Sequence, residues 1–159
     1  MKLYHGSNVE VRQPDLSYSR DSLDFGKGFY LTSDFGQAVK WAHHVARFRG
    51  AGKPAVSVFT IDSKVLQELS VLRFGSANRE WLHTVVAYRS GKTVADSYDI
   101  ITGPIANERT VNVINQYIDG VFPEEIALQL LLPFKLKDQW AIKTEKALAA
   151  LVWKEAQTP

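Results

Sequence analysis

The sequence predicts an α+β fold, and three observations lead there. Residues 55–61 and 138–144 alternate apolar and polar residues as strands do. The segments after Asp34, 78–88 and 109–118 instead repeat apolar residues every three to four positions, the period of amphipathic helices. The strands are several, short and non-consecutive, with helices between them, which is the α+β pattern. At 159 residues the chain has room for one ordinary domain, and no repeat or Pro/Gly/Ser linker divides it.

Taken in order, Lys2 to His5 reads as a first strand, and Ser7 to Ser22, polar and carrying Pro14, as loop. Phe25 to Thr32 opens with glycines and turns into an aromatic, branched strand. Ser33 or Asp34 can cap the next helix, whose inward face is Ala38, Trp41, Ala42 and Val45; Gly50 to Pro54 ends it. A strand over Ala55–Ile61 precedes a short helix over Ser63–Leu69, with Val65, Leu66 and Leu69 inward. Asn78–Tyr88 is helical with Trp81, Leu82, Val85 and Val86 inward, and Tyr98–Thr102 is a short buried strand stopped by Gly103-Pro104. Arg109–Ile118 is helical through Val111, Ile114, Tyr117 and Ile118. Pro123 suits the first turn of the helix that Pro133 stops. Asp138–Thr144 alternates as a strand through Trp140 and Ile142, and Glu145–Ala156 closes the chain as a helix through Leu148, Leu151 and Val152.

Composition narrows the chemistry. The chain has no cysteine, which removes disulfides, thiolate zinc sites, iron–sulfur clusters and thiol nucleophiles together. A formal charge of +2 is too small to argue for a nucleic-acid partner by itself. No apolar run approaches the roughly 20 residues that span a bilayer. Met1-Lys2 leads straight into Tyr4-His5-Gly6 with no apolar signal region, and a reducing cytoplasm is expected. Phosphate-binding glycine loops, the zinc-protease helix and the nucleophile elbow are missing, and the adjacent His43 and His44 point to different helix faces, so no metal is expected.

Two segments carry a positive signal: Tyr4-His5-Gly6-Ser7 at the end of one strand and Gly26-Lys27-Gly28-Phe29-Tyr30-Leu31-Thr32 in another. Here the chain resembles the diphtheria-toxin and poly(ADP-ribose)-polymerase-like branch of the ADP-ribosyltransferases, which sets His-Gly on one strand and Gly-x-Gly-φ-Tyr on another. Across its whole length it also resembles the bacterial family known as domain of unknown function 3990. Leu3 to Ser7, Asp24 to Thr32, Glu80-Trp81-Leu82, and Tyr98-Asp99-Ile100 with Gly103-Pro104 carry that likeness.

The resemblance implies a single ADP-ribosyltransferase-like domain over residues 1–159, with short strands in a split sheet core and helices around it. It implies NAD as substrate, a protein or nucleic-acid acceptor, and a bacterial toxin or effector of toxin–antitoxin or phage-defence type with a small antitoxin partner. His5 would donate to the adenine-ribose hydroxyls, and Gly6 would let the backbone approach the carboxamide. Tyr30 and Trp41, eleven residues on, would sandwich the nicotinamide, with Ser7, Gly28 and Phe29 lining the pocket. The family's late-strand glutamate is matched by Gln139, which can hydrogen-bond but brings no negative charge; Glu80 is the other candidate for that position. Its usual serine, eight residues after the Tyr, is matched by Ala38. Hydrolysis of NAD, or a catalytically weak binding module, are the other readings. The residues alone also allow His5 as a satisfied strand-end histidine, Tyr30 as a core tyrosine, and Trp41 as core packing.

Overall fold

The computed structural model describes residues 1–92, 94 and 97–159. Among them two sheets form. Strands β1 (Lys2–Ser7), β3 (Ala55–Ile61) and β7 (Leu151–Gln157) make one, in the order β1-β3-β7, all antiparallel. Strands β2 (Phe29–Leu31), β6 (Asp138–Ile142), β5 (Ile100–Pro104) and β4 (Val71–Arg73) make the other, in the order β2-β6-β5-β4, with only β4 and β5 parallel. The expected α+β class and sheet split into two are both present.

Three apolar clusters stack these elements in layers. Leu3, Phe59 and Ile61 of the first sheet meet Phe29, Leu31, Ile100, Trp140 and Ile142 of the second. The alternate residues of the second sheet, Ile101 and Ala141, face outward onto three helices. These are α3 (Arg79–Arg89), α4 (Glu108–Ile118) and α5 (Glu124–Leu131), which contribute Trp81, Leu82, Val85, Ile114, Ala127 and Leu131. On the far side, helix α1 (Phe35–Arg49) lays Ala38 and Ala42 against Val56 and the first sheet. Two short helices, α2 (Ser63–Gln67) and α6 (Glu145–Ala149), complete the order.

Local chemistry explains most boundaries. Asp34 caps α1 by accepting from Gln37 N–H at 2.7 Å, and Gly50 ends it in the left-handed conformation at φ 62°. Burial explains Gly6 more sharply. A Cβ built there would lie 2.1 Å from the Ala38 carbonyl oxygen, so α1 sits directly on the β1 backbone.

Four expectations need correction. Residues 145–156 are not one helix: α6 stops at Ala149, and β7 follows along β3. The Ala/Leu/Lys composition favours helix, but the free edge of β3 and the inward alternation of Leu151 and Trp153 favour a strand. Gly103-Pro104 does not stop β5, because β4 ends at Arg73 opposite Thr102 and Pro104 therefore loses no ladder bond. Trp41, read as inward, is 53% exposed, since the contact face of α1 is only two alanines wide. Val65 and Ile118 are exposed as well.

Gly6→Ala should lower stability by about 1–3 kcal/mol, the cost of overpacking a well-filled interface, because the new methyl meets backbone that cannot rotate away. Urea denaturation of the two proteins checks this; equal midpoints would mean that α1 does not press on β1.

Candidate functional site

The strands bearing the two sequence signals, β1 and β2, meet at one bridge. Tyr4 N–H donates to the Thr32 carbonyl at 2.8 Å and Thr32 N–H to the Tyr4 carbonyl at 3.0 Å. On its other edge β1 pairs with β3, and the exchange of both bonds between Met1 and Ile61 fixes the alternation. Leu3, His5 and Ser7 therefore turn their backbone groups to β3, while Tyr4 and Gly6 turn theirs to β2. Continuing the Tyr4–Thr32 register, the next hydrogen-bonded pair would be Gly6 with Tyr30.

That pair does not form, because a side chain takes its place. His5 Nδ1 lies 2.8 Å from the Tyr30 carbonyl oxygen, the acceptor that Gly6 N–H would otherwise use. A carbonyl only accepts, so Nδ1 carries the proton and Nε2 is an acceptor. The imidazole that the resemblance casts as a donor to ribose hydroxyls thus presents an acceptor at its free nitrogen. Burial holds the His5 pKa below the ordinary histidine value; the Tyr30 carbonyl works against this, and the Arg49 charge adds to it. The ring leans on Phe29 at 4.4 Å between centroids, and Phe29 packs edge-on against Phe59 at 5.6 Å. Phe29 is core.

Tyr30 projects from the other face of β2, toward the layer of α3 to α5. Its hydroxyl donates to the Gly26 carbonyl at 2.7 Å and accepts from Phe25 N–H at 3.0 Å, which ties down the glycine turn. Burial pushes the phenol pKa well up. Lys143 joins the same turn through the Phe25 carbonyl, with its ammonium 4.6 Å from the Tyr88 ring centre; burial pushes its pKa down to about 8. Gly28 donates to Ser19 Oγ at 2.8 Å, and a Cβ there would come within 3.0 Å of the Ile142 carbonyl. Ser7 is buried at the end of β1, with its hydroxyl 3.5 Å from Asn8 Oδ1.

Gln139 lies in a buried polar cluster. Its amide nitrogen donates to Asp24 Oδ2 at 2.8 Å and to the Pro104 carbonyl at 3.2 Å. Asp24 also accepts from Arg89 Nε at 2.8 Å and from Ala106 N–H at 2.9 Å. Asp24 thereby holds the turn before β2 to α3 and to the segment after β5. This cluster escaped the sequence reading, because Asp24, Arg89 and Gln139 are far apart in the chain. Glu80 is exposed on the first turn of α3.

Trp41 is not brought to Tyr30. It lies on the solvent face of α1 with its ring stacked on His44 at 5.1 Å. Ala38, in place of the expected serine, is the small residue that lets α1 approach Gly6. A cleft of about 510 Å³ opens elsewhere, between residues 75–79, the end of α5 and residues 134–136. It touches Pro104, whose carbonyl Gln139 and Trp81 share, but neither His5 nor Tyr30 lines it. Among the described residues no group of His, Asp or Glu converges as a metal site. No helix among them is long and apolar enough to cross a membrane.

The lowered His5 pKa carries a sign. The unfolded chain binds a proton at a higher pH than the folded one, so this contribution is complete above the ordinary histidine range and lost as pH falls through it. Stability should therefore drop on acidification from about pH 7 to 5. His5→Asn, whose amide can still donate to Tyr30, should flatten that drop. Denaturation midpoints against pH for both proteins test it, and parallel curves would exclude His5 as the titrating group.

No curated protein matches the chain. Residues 1–153 match the family described as protein of unknown function, DUF3990, and with almost the whole chain matched, the protein belongs to that family.

Proposed function

We propose that the chain is an NAD-dependent ADP-ribosyltransferase, a bacterial toxin or effector acting in the cytoplasm on a protein or nucleic acid and held in check by a small antitoxin protein. One observation supports the reading most. The strands with His5-Gly6 and Tyr30 part after a single bridge, and the Gly6 N–H and C=O face the gap. A carboxamide has the complementary pair of groups, accepting from Gly6 N–H and donating to its C=O.

In this reading His5 Nε2 accepts from an adenine-ribose hydroxyl while the Tyr30 ring stacks on the nicotinamide. The bond between nicotinamide nitrogen and ribose C1′ breaks, and neutral nicotinamide leaves with the bonding pair. The acceptor's oxygen or nitrogen then bonds to C1′ and loses its proton. Gln139 contributes polarity without charge, and its amide is already bonded to Asp24 and Pro104. That observation favours a second reading, a catalytically weak module that binds NAD or a partner.

Incubating NAD labelled in its adenylate half with the protein and bacterial lysate should leave label on a macromolecule. Free ADP-ribose alone would indicate NAD glycohydrolase, and neither product a binding module. By calorimetry Tyr30→Ala should lose about 0.5–1.5 kcal/mol of NAD affinity and Tyr30→Phe nearly none. Absence of NAD binding to the folded protein would refute the proposal. Transfer lost in Gln139→Ala but kept in Glu80→Gln places the third position at Gln139, and the reverse places it at Glu80.

A further inference from the structure

Helix α1 turns an unusual surface to solvent. Trp41, His44 and Phe48 fall at i, i+3 and i+7, along one stripe on the flank of the helix beside the buried Ala38 and Ala42. Trp41 and His44 are 5.1 Å apart with planes 23° apart; His44 and Phe48 are 6.5 Å apart and inclined by 9°. Trp41 is 53% exposed and Phe48 74%, so the rings form a column of nearly parallel faces that the fold does not cover. Beside the column, seven residues apart and so on one flank, stand Lys40 and Arg47, both exposed. Neither makes a salt bridge to a carboxylate among the described residues, and α1 itself contains no Asp or Glu. Arg49, two turns beyond Ala42 on the buried stripe, is instead held by Asn8 Oδ1 at 3.0 Å.

We infer that this face of α1 binds single-stranded nucleic acid, with bases stacking along Trp41, His44 and Phe48 and the phosphates running beside Lys40 and Arg47. Parallel aromatic faces next to exposed cations are the two components of sequence-tolerant single-strand binding; the Asp34 carboxylate at the start of α1 feels the Lys40 charge but lies beyond ion-pair distance. Charge selects an anionic partner, and the ring geometry selects one with flat π-faces. An anionic membrane is the poorer match. A helix that enters the interface presents a broad aliphatic face, whereas here two large apolar residues alternate with Gln37, His43 and His44. The inference is independent of the NAD reading: the surface lies on the outer side of α1, away from Gly6, and needs no nucleotide in the gap.

The test uses the full chain without NAD. A fluorescein-labelled oligothymidine or oligouridine should bind in low salt, with affinity falling as salt rises by about 0.7 log units per log unit for each phosphate neutralised. The double variant Trp41→Leu, Phe48→Leu keeps apolar bulk and removes the π-faces, and should weaken binding at least about tenfold. Lys40→Ala with Arg47→Ala should weaken it and reduce the salt slope by roughly 0.7 per residue. Circular dichroism shows that each variant is folded. No binding of either strand overturns the proposal, as does binding that the leucine variant retains in full. Capture on phosphatidylserine vesicles with no binding of the oligonucleotides also overturns it, in favour of a membrane surface.

Discussion

A single hydrogen bond, from the His5 imidazole to the Tyr30 carbonyl, governs how the two sheets meet. Without it, the register set at Tyr4 and Thr32 would carry β1 and β2 into a continuous ladder through Gly6 and Tyr30. With it, the ladder stops after one bridge and two backbone edges are left facing each other across a gap. The bond is local and polar, yet its consequences reach both layers. It fixes the imidazole tautomer and directs the Gly6 peptide groups to where a ligand could use them.

Two close approaches stabilise that parting. On the β1 side, Gly6 and Ala38 bring backbone against backbone, so α1 buttresses the strand that carries His5. On the β2 side, Tyr30 and Lys143 hold the glycine turn, and Asp24 anchors the same turn to Arg89, Ala106 and Gln139. The Gln139 side chain fits this network for a physical reason. Asp24 needs a donor at that point, and a carboxylate in its place would set two negative charges against each other in a buried site. An uncharged amide at position 139 thus matches the acid placed at Asp24.

Much of the fold was legible because its segments are short and strongly patterned. The strands around Tyr4, Phe29, Val58 and Trp140, the helix capped by Asp34 and the helix over 78–88 follow from alternation, helical period and, at Asp34, cap chemistry. Residues 151–157 were not legible, because helix propensity and the pull of an unpaired β3 edge point in opposite directions and only the tertiary partner decides. Strand β4, three residues long, carried no pattern of its own to read. In the candidate site, His5 and Tyr30 stood out through motif and spacing. The acceptor role of His5 Nε2, the bonds that occupy Gln139, and the outward turn of Trp41 all depend on partners distant in sequence, and no local spacing encodes them.

The most direct test of the account is an NAD titration followed through the backbone amide resonances of isotopically labelled protein. The account predicts that the Gly6 and Tyr30 amides shift first and furthest, together with the neighbours of His5, while residues 128–136 around the α5 cleft stay still. Shifts confined to that cleft, with Gly6 and Tyr30 unmoved at saturating NAD, would contradict it.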